Sequence, residues 1–280
     1  MSAINSISAD KLVRLVGTPR CPALIDVRPN DDFDTNPQMI PGSTRRSHAN
    51  ASEWAQEFAG QFAGHSAVVI CGNGSTLSQG TAAWLRHAGV VADVLEDGFD
   101  GWVKAALPLL KIGRMPPLDR YGRSVWVTRA RPKVDRIACP WLIRRFIDPR
   151  AVFLFVAASE VPGVAERFDA VPFDLDGVFW SHRGEKCTFD LMVEEFGLTT
   201  LPLLRLAKIV RGADTGIWSS RRRRQACWPR RLDYRACTPT ISRSSRPGFR
   251  STMLSIAGAA TRLTKPIRRM RDSQRKTDDR

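Results

Sequence analysis

No two of the six cysteines in this 280-residue chain stand in a CxxC pair. So few scattered thiols do not make a disulfide scaffold at this length. Cys21, Cys71, Cys139, Cys187, Cys227 and Cys237 read as isolated thiols suited to a reducing compartment, and a cytoplasmic location is expected. Long apolar runs are also missing. The longest, Ala151–Ala158, falls far short of the ~20 residues that cross a bilayer, so no membrane contact is expected. The N-terminus lacks a basic stretch followed by an apolar core, which argues against a signal peptide.

Acidic residues are scarce relative to basic ones, and the formal net charge is +15. The excess is local. Ile217–Arg280 holds 18 Lys+Arg against 4 Asp+Glu, which leaves 25 basic and 24 acidic residues in Met1–Gly216. The body of the chain is therefore nearly neutral, and a general nucleic-acid binder is excluded for it.

The pattern that is present is α/β. Ser8 reads as the cap of a first helix, Ala23–Val27 as a buried strand, and Ala67–Ile70 (AVVI) as a second. Leu77–Ala88 reads as a helix stopped by Gly89, Val91–Leu95 as a strand and Gly98–Ala105 as a short helix. Strands alternating with helices imply a parallel sheet covered on both faces. Lys111–Arg120, with two prolines and a glycine, reads as a linker. A second, smaller α/β pattern follows: strands at Ser124–Arg129 and Ala151–Val156, and a helix at Asp135–Ile147 kinked or started by Pro140. Further helices are expected at Val161–Phe168, Thr188–Phe196 and Leu201–Val210. These define domains at residues 5–112 and 121–216, then a basic tail over 217–280 that is too polar and Arg-rich to fold.

The strongest chemical feature is Cys71, placed directly after a buried strand and before a Gly-rich loop and a helix. α/β folds put their ligands at the carboxyl ends of parallel strands. Loop N–H groups and a helix N-terminus aimed at the sulfur would stabilise a thiolate or a persulfide. Gly72, Asn73, Gly74, Ser75 and Thr76 are the expected cradle, with Gly72 and Gly74 both at positive φ. The competing reading is a buried cysteine that merely ends a strand.

Three stretches extend this. Leu24–Phe33 (LIDVRPNDDF) runs on to Met39–Ser43 (MIPGS), and Leu95–Trp102 reads LEDGFDGW. With the cysteine loop, they resemble the rhodanese family over about Ser8–Ile112. The resemblance implies that Cys71 accepts sulfane sulfur from a small donor such as thiosulfate, becomes a persulfide and passes sulfur to a thiol acceptor, with no cofactor required. It also places Asp26 and Arg28 near the active loop. Two departures stand out: Gly72–Thr76 carries no arginine, and Met39 replaces the usual histidine before Ile-Pro-Gly.

In the second half, Cys139, His182, Cys187 and Asp190 form a small set of soft and borderline ligands that could hold Fe or Zn, with Asp190 and Glu194 on one helix face. The competing reading packs Cys139 in a helix core, buries Cys187 and makes Thr188 an N-cap. Val127–Asp148 (VTRARPKVDRIACPWLIRRFID), Ser181–Asp190 (SHRGEKCTFD) and Ile209–Asp214 (IVRGAD) resemble the C-terminal domain of the chromate-resistance protein ChrB over about Tyr121–Gly216. Lys133, Asp135, Arg136, Cys139, Arg144 and Arg145 match its first motif. His182, Cys187 and Asp190 match the second, and Asp214 the third. The resemblance implies a role in sensing chromate or protecting against it: Arg and Lys could bind the divalent oxyanion, while Cys could reduce it or ligate a metal. The abrupt change to Arg-rich sequence after Gly216 suggests a shifted reading frame. The expected function is a cysteine persulfide carrier, an enzyme of the sulfurtransferase type, coupled to a chromate-response domain. The alternative is a non-catalytic thiol or chromate sensor whose tail binds nucleic acid.

Overall fold

The computed structural model describes residues 5–61, 64–131 and 133–214. The expectations for residues 217–280 lie outside them. Among the described residues, no helix is long and apolar enough to cross a membrane.

In the first half, chain order runs β1 (Ser6–Ile7), α1 (Ala9–Val13), β2 (Ala23–Asp26), α2 (Asn30–Thr35), β3 (Gln38–Met39), β4 (Ser43–Arg45), α3 (Ala51–Gln61) and β5 (Ala67–Ile70). It continues with α4 (Thr76–His87), β6 (Ala92–Leu95), α5 (Gly98–Lys104) and β7 (Leu110–Lys111). Five strands make a parallel sheet in the order β1-β6-β5-β2-β4, as the alternating pattern predicts. The sheet is buried on both faces, and successive residues go to opposite ones. Ile25, Val69 and Val94 pack with Trp54 and Phe58 of α3 and Leu85 of α4. Leu24, Val68 and Leu95 pack with Leu12 of α1 and with Phe99 and Trp102 of α5. Each such buried side chain contributes roughly 1.5–3 kcal/mol. Helix α3 has no counterpart in the sequence-based expectations. The Ser8 side chain makes no capping bond, although Ser8 precedes α1 as expected.

The second half holds β8 (Val125–Arg129), α6 (Asp135–Leu142), β9 (Val152–Val156), α7 (Val161–Arg167), β10 (Val171–Pro172), α8 (Thr188–Glu195) and α9 (Leu201–Asp214). Its three strands are parallel in the order β10-β8-β9. Pro140 lies inside α6 without breaking it. It has no N–H to donate one turn back, and the helix widens into a π turn at Ile143–Ile147, closed by the Asp148 N–H to the Ile143 carbonyl at 2.8 Å.

The stretch expected as a linker, Lys111–Arg120, begins inside β7, and the halves are not separate beads. Phe33, Met39 and Leu110 of the first share one hydrophobic core with Trp126, Leu142, Ile143, Phe173 and Phe196 of the second. Backbone bonds cross the same seam: Gly42 N–H to the Phe146 carbonyl at 2.7 Å and Lys111 N–H to the Phe196 carbonyl at 3.0 Å. Met39 departs from the family pattern and fills this seam.

Candidate functional site

Strand β5 delivers Cys71 to the carboxyl edge of the parallel sheet, and the chain turns through residues 72–75 into α4. The thiol donates to the Ser78 hydroxyl at 3.1 Å, and that hydroxyl donates on to the Ser75 carbonyl at 3.0 Å. Ser78 sits in the first turn of α4, so the sulfur lies beside a helix N-terminus, where negative charge is favoured. Asn73 shapes the loop: its Oδ1 accepts from the Ser75 N–H at 3.2 Å and the Ser75 hydroxyl at 2.5 Å, and stands 3.8 Å from the sulfur. Thr76 is the first residue of α4. Gly74 adopts φ +73°, but Gly72 does not enter the left-handed region as expected; one left-handed residue suffices to turn the loop.

The loop is clamped from behind by the start of α5. Phe99 N–H donates to the Cys71 carbonyl at 2.8 Å, and Asp100 N–H donates to the Gly72 carbonyl at 2.9 Å. Cys71 is 2% exposed and lines a cavity of about 440 Å³ together with Arg28, Asp32, Asn36, Leu77, Phe99 and Asp100.

Arg28 and Asp26 do lie beside the loop, as the family resemblance implies, and each is saturated. The Arg28 guanidinium holds Asp26 through Nε at 3.1 Å and Nη2 at 2.7 Å, donates from Nη2 to the Gln38 carbonyl at 2.7 Å, and lies 3.5 Å over the Phe99 ring. Such a stacked, bidentate arginine is a positioned ion pair rather than a loose cation. Among the described residues that line this cavity it is the one cation, and Asp26 already compensates it. The carboxylates of Asp32 and Asp100 stand 3.9 Å and 3.7 Å from where a Cβ on Gly72 would project.

The second half gathers a different group. Asp135 opens α6, Asp174 follows β10, His182 lies in the loop before α8 and Asp214 closes α9. His182 Nε2 is 3.4 Å from Asp135, 3.5 Å from Asp174 and 3.2 Å from Asp214. Asp135 is fully buried. Its Oδ2 accepts the Thr188 N–H at 2.7 Å, while its Oδ1 is buried without a hydrogen-bond partner. Burial, and next the Asp214 charge, push this carboxyl up to about 6. Arg136 donates to Asp174 from Nε at 2.7 Å, and the Thr188 hydroxyl donates to Asp174 at 3.3 Å.

Of the residues predicted for this half, Asp135, Arg136, His182 and Asp214 come together. The others do not. Cys139 and Cys187 are fully buried, and burial holds both thiols well above their usual range, so neither offers a thiolate. Cys187, not Thr188, caps α8, and its N–H donates to Asp190 at 3.1 Å. Asp190 turns to Arg211 at 3.6 Å, and Glu194 to the exposed Lys186 at 2.6 Å. Lys133 is exposed. Arg144 and Arg145 face the first half, where with Arg46, Arg150, Cys21 and His65 they line a second cavity of about 350 Å³. Asp174 and Ser78 were not predicted as site residues. An acid directly after a strand (Phe173-Asp174) is the signal that could have found the first.

Comparison with known proteins finds matches for both halves of the chain. Residues 8–105 match the family described as rhodanese-like domain, and residues 126–228 the family described as ChrB, C-terminal domain. The second match runs past the boundary at 216. Protein ChrB of Cupriavidus metallidurans is 40% identical over 107 residues, which are 38% of this chain and 31% of that protein. The chain thus matches less than a third of the length of this curated relative. Among solved structures, a rhodanese-related protein of Thermoplasma volcanium is 20% identical over 38% of this chain and 97% of its own, with a TM-score of 0.32. A thiosulfate sulfurtransferase of Pseudomonas aeruginosa is 20% identical over 38% of this chain and 19% of its own, also at 0.32. The chain therefore joins a rhodanese-like domain, residues 8–105, to a ChrB C-terminal domain, residues 126–228.

Proposed function

We propose that the chain is a sulfurtransferase-type carrier in which Cys71 forms a persulfide, coupled to a chromate-response domain. The carrying observation is Cys71 itself: a free thiol at a strand end, 3.1 Å from the Ser78 hydroxyl beside a helix start, lining a cavity. The Cys71 thiolate attacks the sulfane sulfur of a donor. With thiosulfate, the sulfur–sulfur bond breaks and sulfite leaves with its electron pair. An acceptor thiolate then attacks the outer sulfur, and Cys71 leaves as thiolate.

The cavity's charge bears on the donor. Its one lining cation is compensated, and two carboxylates stand near the loop. Each unit charge at about 4–6 Å repels a dianion by roughly 1–8 kcal/mol. This favours sulfur delivered by a thiol persulfide over thiosulfate. The test exposes the full chain and its Cys71→Ser variant to thiosulfate or to cysteine persulfide, and follows the added mass of one sulfur atom. The reading expects a Cys71-dependent adduct, formed faster from cysteine persulfide. A folded chain that takes sulfur from neither donor refutes the carrier.

The chromate coupling rests on the ChrB C-terminal match and is supported by the arginine-lined cavity, where Arg46, Arg144, Arg145 and Arg150 could receive a divalent oxyanion. Saturable chromate binding that weakens in Arg144→Met checks it. The four described cysteines are free, which supports the cytoplasm as the location. The nucleic-acid alternative depends on the tail, outside the described residues.

A further inference from the structure

The three carboxylates around His182 pose a geometric problem. Asp135, Asp174 and Asp214 stand 3.2–3.5 Å from its Nε2. One ring nitrogen carries at most one hydrogen, which can point at one oxygen. All three distances exceed the roughly 2.7–2.9 Å of a charge-assisted hydrogen bond. An imidazolium alone therefore serves this group poorly.

A metal ion would serve it well. Ligand atoms of Asp135, His182 and Asp214 all lie within 4.8 Å of one another. Around an ion with bonds of about 2.1 Å, neighbouring ligands sit roughly 3.0 Å apart in an octahedron and 3.4 Å apart in a tetrahedron. The 3.2–3.5 Å spacings between His182 Nε2 and the carboxylates lie close to those values. A separate observation points the same way. Asp135 Oδ1 is buried with no hydrogen-bond partner, a state that costs free energy unless something else satisfies the oxygen. The charges agree as well. Arg136 compensates Asp174, which leaves Asp135 and Asp214 as two acids facing one histidine.

We propose that Asp135, His182 and Asp214, with Asp174 at their edge, bind one first-row divalent cation of the Mn(II) or Fe(II) class. Oxygen-rich ligands with a single imidazole suit these ions, and the two buried thiols nearby are not in the set. His182 is 40% exposed, so one side of the ion would face solvent. Three protein ligands with open positions describe a reactive or sensing centre rather than a sealed structural one. The four residues come from α6, the stretch after β10, the loop before α8 and the end of α9, so the ion would tie together elements widely separated in sequence.

The test uses the full chain stripped of metal by a chelator and shown folded by circular dichroism. Mn(II) is titrated in while the paramagnetic signal of the free ion is followed, and Fe(II) and Zn(II) are titrated calorimetrically. One equivalent should bind saturably, and His182→Gln and Asp214→Asn should each weaken it at least tenfold. His182 is partly exposed, so its replacement is expected to leave the fold intact. Glu194→Gln and Cys71→Ser should bind as the parent does, which keeps this result separate from the sulfur chemistry. A folded chain that binds none of the three ions at millimolar concentration overturns the proposal, as does binding that survives both ligand substitutions.

Discussion

Replacing Gly98 by alanine should damage the cysteine loop from a position outside the cavity lining. Gly98 has φ +56°, and a Cβ there would stand 2.4 Å from the Cys71 carbonyl oxygen, 2.5 Å from that of Gly72 and 2.5 Å from the Gly74 nitrogen. All three neighbours are backbone, so no side-chain rotation relieves the clash. Left-handed backbone costs an L-residue about 1–2 kcal/mol, and forced displacement of packed atoms about 1–3 kcal/mol. The sum, about 2–5 kcal/mol, is a large part of the roughly 5–15 kcal/mol that holds a typical domain folded. The same displacement separates the Phe99 and Asp100 N–H groups from the carbonyls they clamp. Sulfur transfer should fall about 10–100-fold, the usual scale for a misplaced reacting group. Urea denaturation of the full chain gives the first quantity, and the rate of persulfide formation the second. Gly80→Ala is the control: Gly80 lies within α4 with nothing within 4 Å of its Cβ position, and it should gain up to about 1 kcal/mol. A Gly98→Ala chain with parental stability and transfer rate would refute this account of the clamp.

Other perturbations probe the remaining chemistry. Arg28→Met leaves Asp26 buried and uncompensated, and should cost about 3–5 kcal/mol in urea denaturation. Asp135 gives a pH effect in the metal-free chain: its carboxyl titrates at about 6 when folded, against roughly 3.9 unfolded. Between those values the unfolded chain releases a proton that the folded chain keeps. Stability from this group is therefore full below pH ~4 and is lost as pH rises through 6, about 3 kcal/mol in all. Asp135→Asn should accordingly be more stable than the parent at pH 7 in chelator, with no gain at pH ~3.5. Cys139 and Cys187, buried and held high, should resist iodoacetamide at pH 8 until denaturant is added, as peptide mapping would reveal.

Where signals were local, the sequence was legible. Four apolar residues followed by Cys71 and two glycines mark a strand, a loop and a helix start within one short stretch, and the structure has all three. Helix α3 was missed although Ala51, Trp54, Ala55 and Phe58 have helical spacing. The glycines and polar residues of that region draw attention to turns instead. The carboxylate cluster was only half legible, because it is assembled from segments up to 79 positions apart between Asp135 and Asp214. Grouping residues by ligand softness selected Cys139 and Cys187, whose apolar surroundings make them core residues. Asp174 shows its role only once β10 lies beside β8.

The apolar seam at Phe33, Met39 and Leu110 has a thermodynamic consequence. Neither half can open alone without exposing the other's packing, so the two should melt as one cooperative unit. Free energy put into either end is then shared. A ligand held by the second half at a hundred times its dissociation constant would add about 2.7 kcal/mol to the common stability. The cysteine loop would feel that as less frequent opening, with no moving part between the two.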